Sequence, residues 1–127
     1  MSNSQSLSEA LQQRVLVADG AMGTMLQAAN LTLDDFEGHE GCNEVLNVTR
    51  PDVVREIHDA YFEAGADLVE TNTFGANLAN LGEYGITERI YEFSEAAGRI
   101  ARESADAWST TEQPRYVLGS MGPGTKL

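Results

Sequence analysis

Cysteine is nearly absent from this chain of 127 residues, in which Cys42 stands alone. One thiol forms no disulfide within the chain and supplies one ligand at most to a zinc site built from cysteines. Long apolar runs are missing too, so no stretch of the sequence is suited to crossing a bilayer. Residues 1–13 are polar and lack the charged start and apolar stretch of a signal peptide. We therefore expect a cytoplasmic protein.

Basic residues are scarce as well. Eight Lys and Arg stand against 20 Asp and Glu, which gives a formal net charge of −12 and a pI of about 4.3. A surface of this sign repels phosphate groups, which argues against nucleic acid and anionic membranes as partners. The 42% share of hydrophobic residues is typical of a globular domain.

Short apolar runs alternate with helical patterns along the chain. The runs lie at 14–18, 68–71 and 116–119. Helical spacing of apolar residues fills the interval from Pro51 to Gly65, and again the interval from Ile86 to Trp108. This order predicts an α/β fold of three parallel strands joined by right-handed crossovers.

Two boundaries follow from the same pattern. Residues 1–13 are predicted to be a flexible N-terminal arm with a short helix at 7–12, and residues 14–127 to form one domain. Residues 14–18 are almost continuously hydrophobic, which is typical of a strand covered on both faces.

Glycine and small polar residues follow each predicted strand. The three strand ends read Asp19-Gly20, Thr71-Asn72-Thr73 and Gly122-Pro123-Gly124. In parallel α/β folds ligands bind at this edge, and glycine lets them approach the backbone closely. The carboxylate of Asp19 suits an ammonium group, and the polar side chains of the second end suit a carboxylate. Each segment equally suits a simple turn, with Asp19 as a cap, so the coincidence of three is what favours a shared pocket.

No metal site is predicted from the residues themselves. His39 lies in an acidic loop and His58 within a helical pattern, and neither has a second ligand spaced near it.

Several blocks resemble the cobalamin-dependent methionine synthases. Residues 19–26 (DGAMGTML) resemble the opening motif of that family, and residues 41–44 and 49–53 its next block. The most specific match is residues 60–74, AYFEAGADLVETNTF, and residues 119–125 (GSMGPGT) fit as well. The resemblance covers residues 14–127.

This resemblance implies a fold and a chemistry. The fold is the N-terminal portion, about three strands, of a (β/α)8 TIM barrel of the homocysteine S-methyltransferase type. In the full-length family enzyme, zinc held by three cysteines binds homocysteine as a thiolate, which takes a methyl group from methylcobalamin to give methionine. Methyltetrahydrofolate recharges the cobalamin, and separate folate and cobalamin modules take part.

The resemblance also implies site residues. Asp19 matches the carboxylate near the substrate amino group, and Gly20 a backbone position of close approach. Thr73, with Asn72 beside it, matches part of a homocysteine-facing loop, and Ser120 to Gly122 line the same mouth.

The sequence departs from the family in its extent. A full barrel takes roughly 250 residues, and the zinc cysteines of the family lie in its later half. Residues 14–127 are therefore predicted to be a truncated homocysteine-binding domain, with no catalytic or metal-ligating residue of its own. We expect this chain alone to bind neither zinc nor cobalamin and to be inactive. Its partners would be homocysteine, the remainder of the barrel and the other modules, or a second copy through open sheet edges.

Two other readings remain open. One is a cobalamin-independent homocysteine S-methyltransferase that uses betaine or S-methylmethionine as the donor. The other is a non-catalytic half-barrel that serves as an interaction module.

Overall fold

The computed structural model describes residues 5–124, which form an α/β fold. Positions 1–4 of the predicted arm and 125–127 of the predicted domain lie outside that range. The helices and strands are α1 (Leu7–Gln13), α2 (Gly23–Gln27), α3 (Leu46–Thr49), α4 (Pro51–Glu63), β1 (Leu68–Glu70), α5 (Leu78–Glu83), α6 (Ile90–Trp108) and β2 (Tyr116–Leu118). Single turns of 3-10 helix lie at Asn43–Val45 and Thr87–Arg89. Within the described range no helix is both long and apolar enough to cross a membrane.

The two strands pair in parallel, as the strand and helix order predicts. Leu68 lies opposite Tyr116 and Val69 opposite Val117. One face of this sheet packs on α4 and α6, where Val69 is fully buried in a cluster with Phe62 and Ala101. The crossover from β1 to β2 through α6 therefore covers the sheet on that side.

The other face of the sheet packs on α1. Ala10 contacts a small cluster with Leu68 and Tyr116 and is buried. A capping box fixes the start of the helix, because Ser6 Oγ accepts from the Glu9 amide and the Glu9 carboxylate accepts from the Ser6 amide. Residues 7–13 of the predicted flexible arm are thus helical and packed, which extends the short helix expected at 7–12.

The prediction of a third strand at 14–18 is wrong. Ala18 makes a single parallel bridge with Leu68, and the sheet of the described chain has two strands. The ladder is interrupted because the Val17 amide donates to the carboxylate of Asp67 at 2.8 Å and not to a backbone carbonyl. The expectation that other elements cover both faces of this segment is wrong as well, since Val15 is 87% and Val17 58% exposed.

The helix predicted between Pro51 and Gly65 is confirmed as α4. Pro51 occupies the first turn, where its missing N–H has no intrahelical partner to lose. The chain leaves the helix through Gly65, whose φ of +111° disfavours any side chain. The longer helix predicted from Ile86 to Trp108 begins as a 3-10 turn and becomes α6 at Ile90.

His58 on α4 is completely buried, and neither ring nitrogen has a hydrogen-bond partner in the described chain. Burial lowers the pKa of His58 to about 4, with Arg55 acting in the same direction and Asp59 opposing it. The ring is therefore neutral at physiological pH and acts as a packing group, at the energetic cost of two desolvated nitrogens.

Acid should weaken the fold through His58. An unfolded chain takes up the histidine proton near pH 6.5 and the folded chain only near 4, so stability falls as the pH drops between these values. The loss from this group amounts to about 3 kcal/mol at most. Urea denaturation from pH 7.5 to 4, followed by circular dichroism, should show a His58→Leu variant losing less stability than the wild type. Equal losses in both would contradict the buried, neutral state of His58.

The exposed edge at residues 14–18 should promote self-association. An unpaired edge with apolar side chains is a template for pairing with another chain. Light scattering should show dimers or larger species, and Val17→Lys should reduce them. Leu33→Lys is the matched control, because Leu33 lies in a loop and is 57% exposed against 58% for Val17. A monomeric wild type, or equal effects of both variants, would contradict this prediction.

Candidate functional site

A cavity of about 780 Å³ opens at the carboxyl ends of β1 and β2 and of the 14–18 segment. Three carboxylates line it, those of Asp19, Glu44 and Glu70, and no cationic side chain lies among its lining residues in the described chain. Four of the predicted site residues line this cavity, namely Asp19, Gly20, Asn72 and Ser120. The other two, Thr73 and Gly122, line an adjoining cavity of about 440 Å³ that shares Ser120.

Asp19 is held at the cavity by backbone bonds to β1. Its amide donates to the Leu68 carbonyl at 3.0 Å, and its Oδ2 accepts from the Glu70 amide at 3.2 Å. Oδ1 is buried and has no partner within the described residues. Burial raises the pKa of Asp19 to about 6, and the neighbouring carboxylate of Glu70 adds to the shift. A carboxylate in this state favours a cationic ligand, which would restore its lost solvation.

Gly20 follows Asp19 and lies against Tyr61 of α4. A Cβ at this position would approach the Tyr61 hydroxyl to 3.2 Å, which is closer than nine in ten real Cβ contacts. That hydroxyl donates to the Ala21 carbonyl at 2.6 Å and so fixes the loop. The amides of Gly20 and Ala21 find no acceptor among residues 5–124. These two N–H groups are therefore free to donate to a ligand.

Asn72 is buried in a network of amides. Its Nδ2 donates to the Asn43 carbonyl and to Asn47 Oδ1, both at 3.0 Å. Asn47 in turn donates to the Asn72 carbonyl at 2.9 Å and to the Phe93 carbonyl at 3.2 Å. Asn72, which was predicted to contact homocysteine, thus donates both of its side-chain N–H protons to other groups of the protein.

Thr73 joins the ends of the two strands. Its hydroxyl donates to the Ser120 carbonyl at 2.7 Å, and the Ser120 amide donates to Thr71 Oγ1 at 3.1 Å. The two threonine hydroxyls are 2.7 Å apart, and Thr71 must be the donor because the Thr73 proton is already used. Thr73 thus takes part in the hydrogen bonds that join the loop after β1 to the loop after β2. It lies beside the large cavity and does not line it.

Gly122 lies directly against the loop after β1. A Cβ built on Gly122 would overlap the Phe74 carbonyl oxygen and contact the Phe74 ring. The close approach that sequence analysis expected of glycine at this mouth is therefore made to another part of the chain.

Glu44 and Glu70 are cavity residues that the sequence analysis did not single out. Glu44 is 5% exposed, and its Oε2 accepts from the Gly75 amide at 2.9 Å. The available signal was an acidic residue directly before the apolar pair Val45-Leu46, since a carboxylate that is buried with such neighbours needs a specific partner. Glu70 ends the apolar run of β1, at the sheet edge where parallel α/β folds commonly bind ligands.

The described residues do not suit a zinc ion. They contain no group of three or more His, Cys, Asp or Glu side chains that could hold a metal. Burial raises the pKa of the Cys42 thiol to about 11, and Glu44 adds to the shift, whereas zinc binds the thiolate. Neither histidine lines the large cavity.

Comparison with known proteins gives one family. Residues 16–127 match the model of the family described as Homocysteine S-methyltransferase. The chain is 65% identical over 121 residues to a methionine synthase of Mycobacterium tuberculosis (strain ATCC 25618 / H37Rv), and 66% identical to one of Mycobacterium leprae (strain TN). These matches cover 95% of this chain and 10% of each relative, so the chain spans about a tenth of their length.

The fold is similar to that of solved homocysteine methyltransferase structures. The oxidised form of MmuM from Escherichia coli matches with a TM-score of 0.72 and 27% identity, over 91% of this chain and 40% of that one. Its metallated form matches with a TM-score of 0.70 and 28% identity, over 90% and 40% of the two chains.

Substitution of Gly122 should loosen the site. In Gly122→Ala the new Cβ meets a backbone oxygen that cannot turn away, so the two loops must separate at a cost of roughly 1–3 kcal/mol. Gly119→Ala is the matched control, because nothing lies within 4 Å of a Cβ there. Urea denaturation should show a clear loss of stability for the first variant and no loss for the second. Equal stabilities would contradict the close contact.

Proposed function

Because the chain belongs to the homocysteine S-methyltransferase family, we propose that it is the part of a methionine synthase that holds the amino-acid end of homocysteine. The acidic cavity at the carboxyl ends of the strands is the observation that carries this proposal. Methyl transfer itself is proposed for the parent enzyme, of which this chain spans about a tenth.

The ammonium group of homocysteine is proposed to lie against Asp19. Oδ1 of this residue is desolvated and lacks a hydrogen-bond partner within residues 5–124, so a bound ammonium would supply both a proton donor and the missing countercharge. The exposed carboxylate of Glu70 adds negative potential on the same side of the cavity. No cationic side chain lines the cavity in the described chain to compete for these groups.

The substrate carboxylate is proposed to accept from the backbone amides of Gly20 and Ala21. These amides lack an acceptor in the described chain and border the cavity. These amides directly follow Asp19 in the chain, and such an arrangement suits an α-amino acid, whose charged groups share one carbon. This arrangement binds the end of the substrate that does not react, which orients the sulfur without touching it.

Zinc and cobalamin are proposed to be bound by other parts of the parent enzyme. The residues described here do not fit zinc, and we derive no step through either group. Of the residues at the mouth, Phe74 and Met121 are 65% and 93% exposed. We propose that this apolar rim faces the remainder of the barrel and the cobalamin and folate modules, and that the chain alone is inactive.

Among the possible methyl donors, we propose methylcobalamin for the parent enzyme. Identity to methionine synthases is 65–66%, whereas identity to the Escherichia coli homocysteine methyltransferase is 27–28%. An interaction module without a ligand would not account for Asp19 Oδ1, which is buried and has no partner among residues 5–124.

Binding of homocysteine should depend on pH through Asp19. Only the ionised carboxylate attracts ammonium, so with a pKa of about 6 the affinity should rise between pH 5 and 7.5. Ionisation of about a tenth of the carboxylates at pH 5 gives roughly tenfold weaker binding there. Isothermal titration calorimetry with reduced homocysteine measures this change.

The matched variants identify the group responsible. Asp19→Asn should bind weakly at both pH values, and Asp34→Asn, an exposed loop substitution, should behave as the wild type. Affinity that stays constant from pH 5 to 7.5, or that survives in Asp19→Asn, would exclude Asp19 as the ammonium partner.

A further inference from the structure

We propose that Asn47 is a positioning residue that fixes Asn72 so that its side chain can only accept hydrogen bonds from a ligand in the cavity. The inference rests on the proposed function and deepens it, since it names a second determinant of selectivity for ammonium over carboxylate at this wall.

The orientation of Asn47 follows from its partners. Asn47 is 2% exposed, and one atom of its amide faces two backbone carbonyls, those of Asn72 at 2.9 Å and Phe93 at 3.2 Å. Carbonyl oxygens only accept, so the atom between them must be the nitrogen, which has two protons to give. A flipped amide would place three oxygens together and leave none of them a donor.

The orientation of Asn72 follows from that of Asn47. Because both Nδ2 protons of Asn47 are donated to carbonyls, the atom of Asn47 that contacts Asn72 is Oδ1, which can only accept. Asn72 must therefore donate from Nδ2, at a distance of 3.0 Å. The second Nδ2 proton goes to the Asn43 carbonyl at 3.0 Å. Every donor of both side chains is then used inside the protein.

One atom of Asn72 remains for a ligand. Asn72 lines the large cavity, and no residue from 5 to 124 donates to its Oδ1. Asn72 thus adds an amide oxygen to the cavity that Asp19 and Glu70 also line, and a ligand group that binds this oxygen must be a donor. Asn47 does not line the cavity and acts only through Asn72.

Selectivity for the ammonium group tests the inference. The ligands are reduced homocysteine and 4-sulfanylbutanoate, which has the same chain and lacks the amino group, titrated by calorimetry at pH 7.5. The wild type should prefer homocysteine, and Asn47→Leu, which frees one Nδ2 proton of Asn72, should lower this preference about tenfold, the scale of one hydrogen bond to a charged group. Asn72→Leu should lower it similarly, and the double variant should add little, because both act on one contact.

A control separates positioning from stability. Ser104 is fully buried and donates to Asp59 between α6 and α4, so Ser104→Ala removes a partly buried hydrogen bond away from the cavity. It should weaken the fold and leave the preference unchanged. If Asn47→Leu keeps the wild-type preference, or if Ser104→Ala lowers it as much, the inference is overturned while the proposed function stands. If the wild type does not bind homocysteine, both are overturned.

A measurement on the wild type covers the case in which Asn47→Leu does not fold. In side-chain amide NMR spectra, the Nδ2 protons of Asn47 and Asn72 should exchange slowly with solvent. They should change little when 4-sulfanylbutanoate is added, because no proton is free for its carboxylate. Fast exchange at Asn72, or a large shift of its Nδ2 resonances with this ligand, would overturn the inference.

Discussion

The candidate site depends on the satisfaction of buried amides. Asn47 and Asn72 are 2% and 6% exposed, and a buried polar group without a partner costs roughly 1–3 kcal/mol. Their reciprocal hydrogen bonds join α3 to the loop after β1, and one bond continues to the Phe93 carbonyl of α6. Any other arrangement of these bonds would leave a carbonyl or an N–H group unpaired. The bonds therefore fix the register of the three elements, that is, their positions relative to one another. The cavity wall is a consequence of that register.

The distribution of charge in the described chain favours a cationic ligand in the cavity. Six arginines form ion pairs with carboxylates elsewhere in the described chain: Arg14, Arg50, Arg55, Arg89, Arg99 and Arg102. Arg115 donates to the Phe62 carbonyl and to Gln113. Asp19 and Glu44 accept from backbone amides, and Glu44 also accepts from the Cys42 thiol. These neutral groups satisfy hydrogen bonds without cancelling charge. A cationic ligand does both, which is why the pKa of Asp19 and the missing partner of its Oδ1 point to the same chemistry.

The sequence predicts the parts of the fold that follow from periodicity. The spacing of apolar residues between Pro51 and Gly65 is sufficient for α4, and the order of the elements is sufficient for parallel pairing of β1 with β2. It predicts that Asp19, Gly20, Asn72 and Ser120 meet, because strand ends share an edge. The sequence does not predict which side-chain N–H and O–H groups already donate hydrogen bonds within the protein. Asn72 and Thr73 were expected to donate to a carboxylate, yet their partners lie 25 to 47 residues away in sequence, and spacing carries no information on such contacts.

The segment at 14–18 shows why a hydrophobic run alone is not sufficient for a strand. Residues 15–18 are apolar, but a strand also needs its amides to donate to backbone carbonyls. Here the Asp67 carboxylate accepts from the Val17 amide and from the Arg14 guanidinium. The same interruption benefits the site. Beyond it the Asp19 amide returns to the Leu68 carbonyl, and Asp19 Oδ2 takes the Glu70 amide in place of a main-chain oxygen. Side-chain carboxylates thus replace ladder carbonyls on both sides of the Ala18 bridge. At Asp67 the charge is neutralised by Arg14, whereas at Asp19 one carboxylate oxygen is left without a partner among residues 5–124. The pairing of this carboxylate, which belongs to a residue of the cavity wall, is what we propose a substrate ammonium completes.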